Sequence, residues 1–128
     1  MAFALDHVAL HVIDVEGCVA FYRDTLGLPE IPARVARQGV RWFQLAGGAT
    51  LHLIPGAPDK IALSPSNHFA LATADFDAVI STLQQNGVAF GGGTATPTDG
   101  KVTTRPDNVR QVYLMDPDNN LVEINDQP

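Results

Sequence analysis

Residues 110–125 read RQVYLMDPDNNLVEIN, and this stretch sets the pattern for the rest of the chain. Two apolar runs flank a turn-forming segment, in which Pro117 fixes φ and an asparagine can adopt the left-handed conformation that a hairpin needs. The sequence therefore predicts a β-hairpin. Its second strand carries one carboxylate, Glu123, between two apolar neighbours, and strand alternation directs Glu123 to the face opposite theirs.

The composition limits the class of protein. A chain of 128 residues that is 45% hydrophobic fits one compact domain. Its net charge of −6 argues against nucleic acid or an anionic membrane surface as a partner, which leaves a small molecule. The single cysteine, Cys18, excludes an internal disulfide framework, and neither a membrane span of ~20 apolar residues nor a signal peptide is recognisable. We therefore expect a cytoplasmic protein.

The chain contains an internal repeat of a strand-helix-three-strand unit. Strand-like alternation over residues 6–13 is followed by Asp14 as a helix N-cap and then by apolar residues at helical spacing. The second half repeats this order, with strand-like alternation over residues 67–73, Asp75 as the N-cap and a second helical pattern. Asp14 and Asp75 lie 61 residues apart, as do His7 and His68. A glycine suited to a helix C-terminus closes each predicted helix, at Gly27 and at Gly87.

The remaining strands complete two modules of equal design. We expect strands at residues 28–36, 40–46 and 49–54 in the first half, and at 88–90 and in the final hairpin in the second, after an irregular stretch at 91–108. Gly47 and Gly48 predict a tight hairpin between the strands at 40–46 and 49–54. The predicted fold is α+β, with module one at about 3–54, a linker at 55–65 and module two at about 66–126. Curved mixed sheets would enclose a cleft, with the helices on the outer faces.

Strand alternation predicts a group of metal-ligating side chains on the cleft face. His7, His52, His68 and Glu123 all lie on the side away from the apolar stripe of their strands, at repeat-related positions. Three imidazoles and a carboxylate suit a divalent ion, with zinc, nickel, manganese and iron all compatible. Any one of these histidines on a half-polar strand is more often solvated or hydrogen-bonded than a ligand, and the joint placement favours a metal.

Further side chains are candidates for substrate binding or catalysis. Arginines can bind a carboxylate or phosphate bidentately, although each could equally protect a strand edge. Tyr113 could donate a hydrogen bond or act as an acid, and Glu123 could move a proton. The predicted substrate-binding residues are His11, Arg41, Trp42, Gln44, Arg105, Arg110 and Gln111.

Five segments together resemble the vicinal oxygen chelate superfamily, which includes glyoxalase I, extradiol dioxygenases and bleomycin-binding proteins. The segments are HVALHV at 7–12, AFYRDTLGL at 20–28, GATLHL at 48–53, NHFAL at 67–71 and YLMDPDNNLVEI at 113–124. The resemblance implies paired βαβββ modules, a metal in the cleft, and ligands at the positions of His7, His52, His68 and Glu123. We also expect a homodimer, and whether the cleft closes within one chain or between two chains stays open. Glyoxalase I has a carboxylate at the position of His52, which argues against a strict glyoxalase I.

We therefore expect a glyoxalase-like, metal-dependent enzyme of the lyase or isomerase type, acting on a small oxygenated substrate that chelates the ion. Two alternatives stay open. One is a non-catalytic protein of the same fold that binds or sequesters a small molecule, and the other is an iron(II)-dependent dioxygenase of the extradiol type.

Overall fold

The computed structural model describes residues 1–35, 37–60 and 66–128. The chain divides into two compact units, Met1–Lys60 and Ile61–Pro128. Each unit contains a four-stranded mixed sheet, in which the first strand pairs in parallel with the last, and the last pairs antiparallel with the strand before it. The predicted α+β class is confirmed, while the exact module boundaries stay a prediction.

The first unit has strand order β1-β4-β3-β2. Alternation along its strands places one set of residues in the core, among them Leu51, Leu53 and Phe43, each with no exposed surface. Its elements are β1 (His7–Val12), α1 (Val15–Val19), β2 (Glu30–Ile31), β3 (Arg41–Gln44) and β4 (Thr50–Pro55).

The first helix begins as predicted but changes its winding. Asp14 caps it by accepting a hydrogen bond from the backbone N–H of Gly17 at 2.9 Å. After Val19 the chain continues as a π-helix over Ala20–Thr25, so the helical segment extends on from α1 with a wider winding in its second half. Phe21 and Tyr22 are adjacent, both buried and packed edge to face, and the wider turn lets both rings stay on the core side.

The second unit has strand order β5-β8-β7-β6. The helix α2 (Phe76–Gln85) packs on one face of this sheet, since the guanidinium of Arg110 lies 4.7 Å from the ring centre of buried Phe76. Asp75 stands at the N-cap position of α2, but its side chain makes no capping hydrogen bond, contrary to prediction. The elements are β5 (Phe69–Ala72), α2 (Phe76–Gln85), β6 (Thr103–Thr104), β7 (Arg110–Met115) and β8 (Leu121–Asn125).

Two predicted strands differ from the structure. The strand expected at residues 28–36 is reduced to the two residues of β2, because Pro29 and Pro32 flank it and have no N–H for a sheet; residue 36 lies outside the described residues. The strand expected at 88–90 is absent from the described part of the chain, and Gly91 forms an isolated bridge to Tyr113 instead. Gly91 packs so closely on the Thr96 backbone that a Cβ would lie 1.9 Å from its carbonyl oxygen.

The irregular stretch that follows supplies β6, which takes the place of the missing strand. In the first unit the predicted Gly47-Gly48 hairpin forms, with both glycines at positive φ. Of the predicted linker at 55–65, residues 61–65 lie outside the described residues. None of the helices in the described ranges has the length and apolar character needed to cross a membrane.

The closing hairpin forms as predicted, and its turn fixes the register of Glu123. Asn119 adopts the left-handed conformation at φ 66°. The Oδ1 atom of Asp116 accepts the backbone N–H groups of Asp118 and Asn120, both at 2.9 Å. This bonding holds the two strands so that Tyr113 lies directly opposite Glu123.

Candidate functional site

The two units present matching positions on the sheet face opposite the core. On β4, His52 lies between Ala9 of β1 and Trp42 of β3. On β8, Glu123 lies between Ala70 of β5 and Tyr113 of β7. Each unit therefore surrounds its central polar residue with a small residue on one side and an aromatic residue on the other.

In the second unit, Glu123 is the centre of a cluster of polar side chains. It is 5% exposed. Its Oε1 atom accepts a hydrogen bond from the Tyr113 hydroxyl at 3.0 Å and lies 3.3 Å from Nε2 of His68. Its Oε2 atom accepts a hydrogen bond from Nδ2 of Asn125 at 2.5 Å and lies 3.9 Å from a terminal nitrogen of Arg105. Each carboxylate oxygen thus has its own set of partners.

The surroundings of the cluster set the protonation of Tyr113. Burial raises the pKa of this phenol, and its hydrogen bond to Glu123 acts in the same direction. The hydroxyl therefore stays protonated near neutral pH and serves as a hydrogen-bond donor. The ring of His68 meets the Tyr113 ring edge to face, with centroids 5.3 Å apart, which orients the imidazole.

In the first unit, His52 is part of a stack of three rings. Its imidazole lies 3.8 Å from the Trp42 ring and 4.5 Å from the His7 ring, nearly parallel to both. Its Nε2 atom shares a hydrogen bond of 2.8 Å with the Thr50 hydroxyl. Burial lowers the pKa of His52, and the neighbouring His7 lowers it further, so the ring is neutral near neutral pH.

His7 keeps one ring nitrogen available. Its Nδ1 atom lies 2.6 Å from the carboxylate of Asp6, and this contact leaves Nε2 as the atom that could bind a ligand. Carboxylates commonly orient metal-binding imidazoles in this way. His11 lies on the same face of β1, two residues along, and is exposed.

Two donor atoms of the second unit, Nε2 of His68 and Oε1 of Glu123, lie at a separation compatible with binding one divalent ion. Two atoms that bind one ion at about 2.1 Å each are separated by about 3.0–3.4 Å at ordinary bond angles, and the His68–Glu123 distance of 3.3 Å falls within this range. Within the described ranges, no group of three or more His, Cys, Asp or Glu side chains lies close enough to hold a metal. The four predicted ligands are divided between the units, with His7 and His52 in the first.

Two of the predicted substrate-binding arginines lie on the helix side of their sheets. Arg41 alternates with Trp42 and forms ion pairs with Glu16 of α1 and with Glu30. Arg110 forms ion pairs with Asp77 of α2 and with Asp126. Strand alternation turns both guanidinium groups away from the face that carries His52 and Glu123. The guanidinium groups of Arg41 and Arg110 therefore join helix to sheet, and a substrate-binding role for either residue stays a prediction.

The two predicted glutamines are engaged within their own units. The amide of Gln44 donates to the backbone carbonyls of Leu45 and Ala49, and so braces the turn between β3 and β4. The amide of Gln111 donates to the Thr103 hydroxyl at 3.4 Å. Gln44 thus has a structural role in the turn, whereas Gln111 lies on the same strand face as Tyr113.

Three residues of these clusters were missed in the sequence. Thr50 and Asn125 each lie two residues from the central side chain of their strand, on the same face, and each bonds to it. That spacing is visible in the sequence and is the signal that could have found them. Asp6 precedes His7 directly, and its contact with the imidazole depends on local geometry that the strand pattern does not give.

Comparison with known proteins gives a family match over most of the chain. The family model described as the Glyoxalase/Bleomycin resistance protein/Dioxygenase superfamily matches residues 4–124. The uncharacterized protein YwbC of Bacillus subtilis (strain 168) is 26% identical, and the match covers 96% of this chain and 97% of that protein.

Solved structures of similar fold agree with this match. The oxidase ChaP-H2 has a TM-score of 0.82 at 22% identity, covering 100% of this chain and 96% of that chain. A putative glyoxalase family protein from Bacillus anthracis has a TM-score of 0.74 at 25% identity, covering 100% and 98%. Both likenesses extend over the whole chain, in agreement with the fold predicted from the repeat.

Proposed function

Because the chain belongs to the glyoxalase/bleomycin resistance protein/dioxygenase superfamily, we propose that it is a glyoxalase-like, metal-dependent enzyme of the lyase or isomerase type. Its proposed substrate is a small oxygenated molecule whose neighbouring oxygen atoms chelate the ion. The observation that carries this proposal is the facing pair of His68 Nε2 and Glu123 Oε1, 3.3 Å apart.

The proposed ligands are side chains with an imidazole nitrogen or a carboxylate oxygen that can bind a metal ion. His68 and Glu123 offer Nε2 and Oε1, and His7 offers Nε2 because Asp6 occupies its other nitrogen. His52 is the fourth proposed ligand, through Nδ1, since Thr50 engages its Nε2. A bound divalent ion, whether zinc, nickel, manganese or iron, would act as a Lewis acid that stabilises negative charge developing on the substrate oxygens.

The residues of the second unit supply the proposed proton chemistry. Glu123, or a metal-bound water beside it, would move the proton of the substrate, since a carboxylate is a suitable general base and its Oε2 atom is held in place by Asn125. The Tyr113 hydroxyl stays protonated and steadies Oε1 by donating to it. Arg105, 3.9 Å from Oε2, contributes positive charge that favours an anionic substrate group.

The rest of the proposed substrate contacts come from residues on the same sheet faces. Gln111 shares a face with Tyr113 on β7, and Trp42 presents its indole beside His52 on β3. His11 lies exposed on β1. These residues would bind the part of the substrate that does not react, so their substitution is expected to raise KM more than it lowers kcat.

Metal binding tests the proposal directly. Protein treated with a chelator is titrated with Co²⁺, Zn²⁺, Ni²⁺, Mn²⁺ and Fe²⁺ by calorimetry, and the same titration is run on Glu123→Gln, His68→Ala, His7→Ala and His52→Ala. Loss of a ligand is expected to weaken binding by more than the 10–100-fold that outer hydrogen-bond partners cost. The loss of metal affinity measured for each variant identifies which of the four side chains are ligands.

His11→Ala is the matched control, because it removes an exposed imidazole from the same strand as His7 without touching the proposed ligand set. It is expected to bind metal as the wild type does. A wild-type protein that takes up no divalent ion, and whose melting temperature is the same with metal and with chelator, would contradict the proposal.

A second candidate function is oxygen chemistry at iron(II). Two histidines and one glutamate are the donor set of non-haem iron(II) oxygenases, and the oxidase ChaP-H2 has a similar fold. Oxygen uptake with catechols that depends on ferrous iron, and is absent with zinc, would favour this candidate over the lyase. Ligand binding that persists in Glu123→Gln, with no turnover by the wild type under any metal, would instead indicate a non-catalytic binding protein.

The proposed assembly is a homodimer in the cytoplasm. Members of this superfamily commonly form dimers. The net charge of −6 argues against nucleic acid as a partner. Sedimentation equilibrium of the purified protein measures the mass in solution, and twice the chain mass of 13.7 kDa is the expected result.

A further inference from the structure

Asn125 is buried beside Glu123 on the same strand face. It is 5% exposed, as is Glu123. Its Nδ2 atom donates a hydrogen bond of 2.5 Å to Oε2 of Glu123. A hydrogen bond to a charged carboxylate in a buried setting is among the stronger polar contacts in a protein, so this contact is well suited to hold the carboxylate.

The orientation of the Asn125 amide is fixed at its other end. Its Oδ1 atom accepts the backbone N–H of Gln127 at 3.1 Å. An N–H group requires an acceptor and a carboxylate requires a donor, so only one of the two amide orientations satisfies both partners. The side chain is therefore locked with its NH₂ group toward Glu123.

The two oxygens of Glu123 are kept separate by this arrangement. Oε2 faces Asn125 and the charge of Arg105, while Oε1 faces Tyr113 and His68. A carboxylate with one oxygen held by a buried donor has little freedom to rotate about its terminal bond. Oε1 is left as the oxygen directed at the His68 imidazole.

We propose that Asn125 is a positioning residue, which holds Oε2 of Glu123 so that the carboxylate binds a divalent metal through Oε1 alone. This inference rests on the proposed function, because it assigns a task to Asn125 only if Glu123 is a metal ligand. It goes beyond the ligand set by naming the residue that selects one oxygen. The first unit has Ile54 at the matching position, two residues after His52, and so has no amide there.

The experiment is a double-mutant cycle read out by metal binding. Co²⁺ is titrated into the chelator-treated full chain by calorimetry and by visible absorption, for the wild type, Asn125→Leu, Glu123→Gln and the double variant. Leucine has the same number of side-chain heavy atoms and the same branching as asparagine, but no hydrogen-bond donor. Asn125→Leu is expected to bind Co²⁺ about 10-fold more weakly in the wild-type background and with a changed visible spectrum. In the Glu123→Gln background the same substitution is expected to change the affinity little.

Gln84→Leu on the exposed side of α2 is the control for a general effect of replacing an amide by an apolar side chain. Far-UV circular dichroism establishes that each variant is folded, and Asn125→Ala takes the place of Asn125→Leu if the latter does not fold. A wild type that binds Co²⁺ while Asn125→Leu keeps its affinity and spectrum would overturn the positioning role and leave the proposed function intact. Equal losses in both backgrounds would also overturn it, because the effect would not act through Glu123. A wild type without Co²⁺ binding would overturn both.

Discussion

The two units hold different chemistry at matching positions of their two sheets. His52 and Glu123 each lie between an alanine and an aromatic residue of the neighbouring strands. The imidazole of His52 is stacked between two rings, whereas the carboxylate of Glu123 accepts hydrogen bonds through both of its oxygens. Sheet register decides which side chains meet, and the residue type at the centre decides what kind of neighbour stabilises it.

The residue that holds each central side chain also differs. In the first unit Thr50, two residues before His52, bonds to its Nε2 atom. In the second unit Asn125, two residues after Glu123, bonds to its Oε2 atom. Both solutions use the two-residue period of a strand, which brings positions i and i±2 to one face. A neutral ring and a charged carboxylate therefore cannot be exchanged between the units without a loss of folding stability.

The largest loss of stability is expected when glutamate, the central residue of the second unit, replaces His52 in the first unit. His52→Glu would put a carboxylate between the rings of Trp42 and His7, where the structure provides stacking and the Thr50 hydroxyl. A buried charge without adequate partners costs about 3–5 kcal/mol, so we expect a loss of this size in urea denaturation at neutral pH. His52→Gln, which stays neutral, is the control and should lose clearly less. Equal stability of the two variants would show that the first unit accepts a charge.

A smaller loss is expected when the carboxylate of the second unit loses a donor. Tyr113→Phe removes the hydroxyl that bonds to Oε1 of Glu123 and keeps the ring that meets His68. Hydrogen bonds to charged groups contribute about 1.5–3 kcal/mol, and the free energy of unfolding should fall within that range. In the Glu123→Gln background, the stability lost through Tyr113→Phe should fall toward the value for a hydrogen bond between two neutral groups. The same loss in both backgrounds would assign the effect to ring packing.

The corresponding bond of the first unit joins two neutral groups and should contribute less. Thr50→Val keeps the shape of the side chain and removes the hydroxyl that bonds to His52. We expect a loss of about 0.5–1.5 kcal/mol in chemical denaturation. Thr104→Val, at an exposed position of β6, is the control for the same replacement on a strand and should change little. A larger loss for Thr50→Val than for Tyr113→Phe would reverse the comparison between the units.

The features that could be predicted from the sequence are those that local pattern determines. Alternation gave the exposed and buried faces of β1, and the turn chemistry around Asn119 gave the closing hairpin and the register of Glu123. The strand expected at 28–36 failed although the sequence held the signal, because Pro29 and Pro32 limit pairing to the two residues between them. At 88–90 the described chain forms no strand, and Gly91 instead makes an isolated bridge to Tyr113, which alternation does not predict.

The sequence predicts which side chains of the candidate site share a sheet face, but it does not predict which of them touch. Alternation could have excluded Arg41 and Arg110 from the face of the site, since they share a face with Phe43 and Val112, both fully buried. The approach of His68 to Glu123 depends on the parallel pairing of β5 with β8, strands about 50 residues apart, and no local pattern gives that distance. The ring stack likewise depends on side-chain orientation after the strands have paired.

Each unit also joins its helix to its sheet through an arginine. These two arginine contacts are alike, whereas the central residues His52 and Glu123 differ. Arg41 donates to Glu16 in the first turn of α1, and Arg110 donates to Asp77 in the first turn of α2. Glu16 and Asp77 lie 61 residues apart, at the offset of the repeat. An acidic residue in the first helical turn is favoured by the helix dipole as well as by the arginine. The units therefore share this arginine contact on the helix side and differ on the opposite face.

The smallest effect is expected from removing Arg41, which forms an ion pair with Glu30 of β2 as well as with Glu16. Hydrogen bonding to Arg41, with a further contribution from Arg23, holds the pKa of Glu30 below its ordinary value of 4.5. The contribution of this pair to stability is therefore present above about pH 4.5 and is lost as pH falls through the lower pKa of the folded state. Arg41→Met should cost about 1 kcal/mol or less at neutral pH, because the pair is partly exposed. Urea denaturation at about pH 7 and about pH 3 measures the difference from the wild type, which should shrink at the lower pH. A difference that stays constant would mean that Arg41 acts through the packing of its methylene groups and not through its charge.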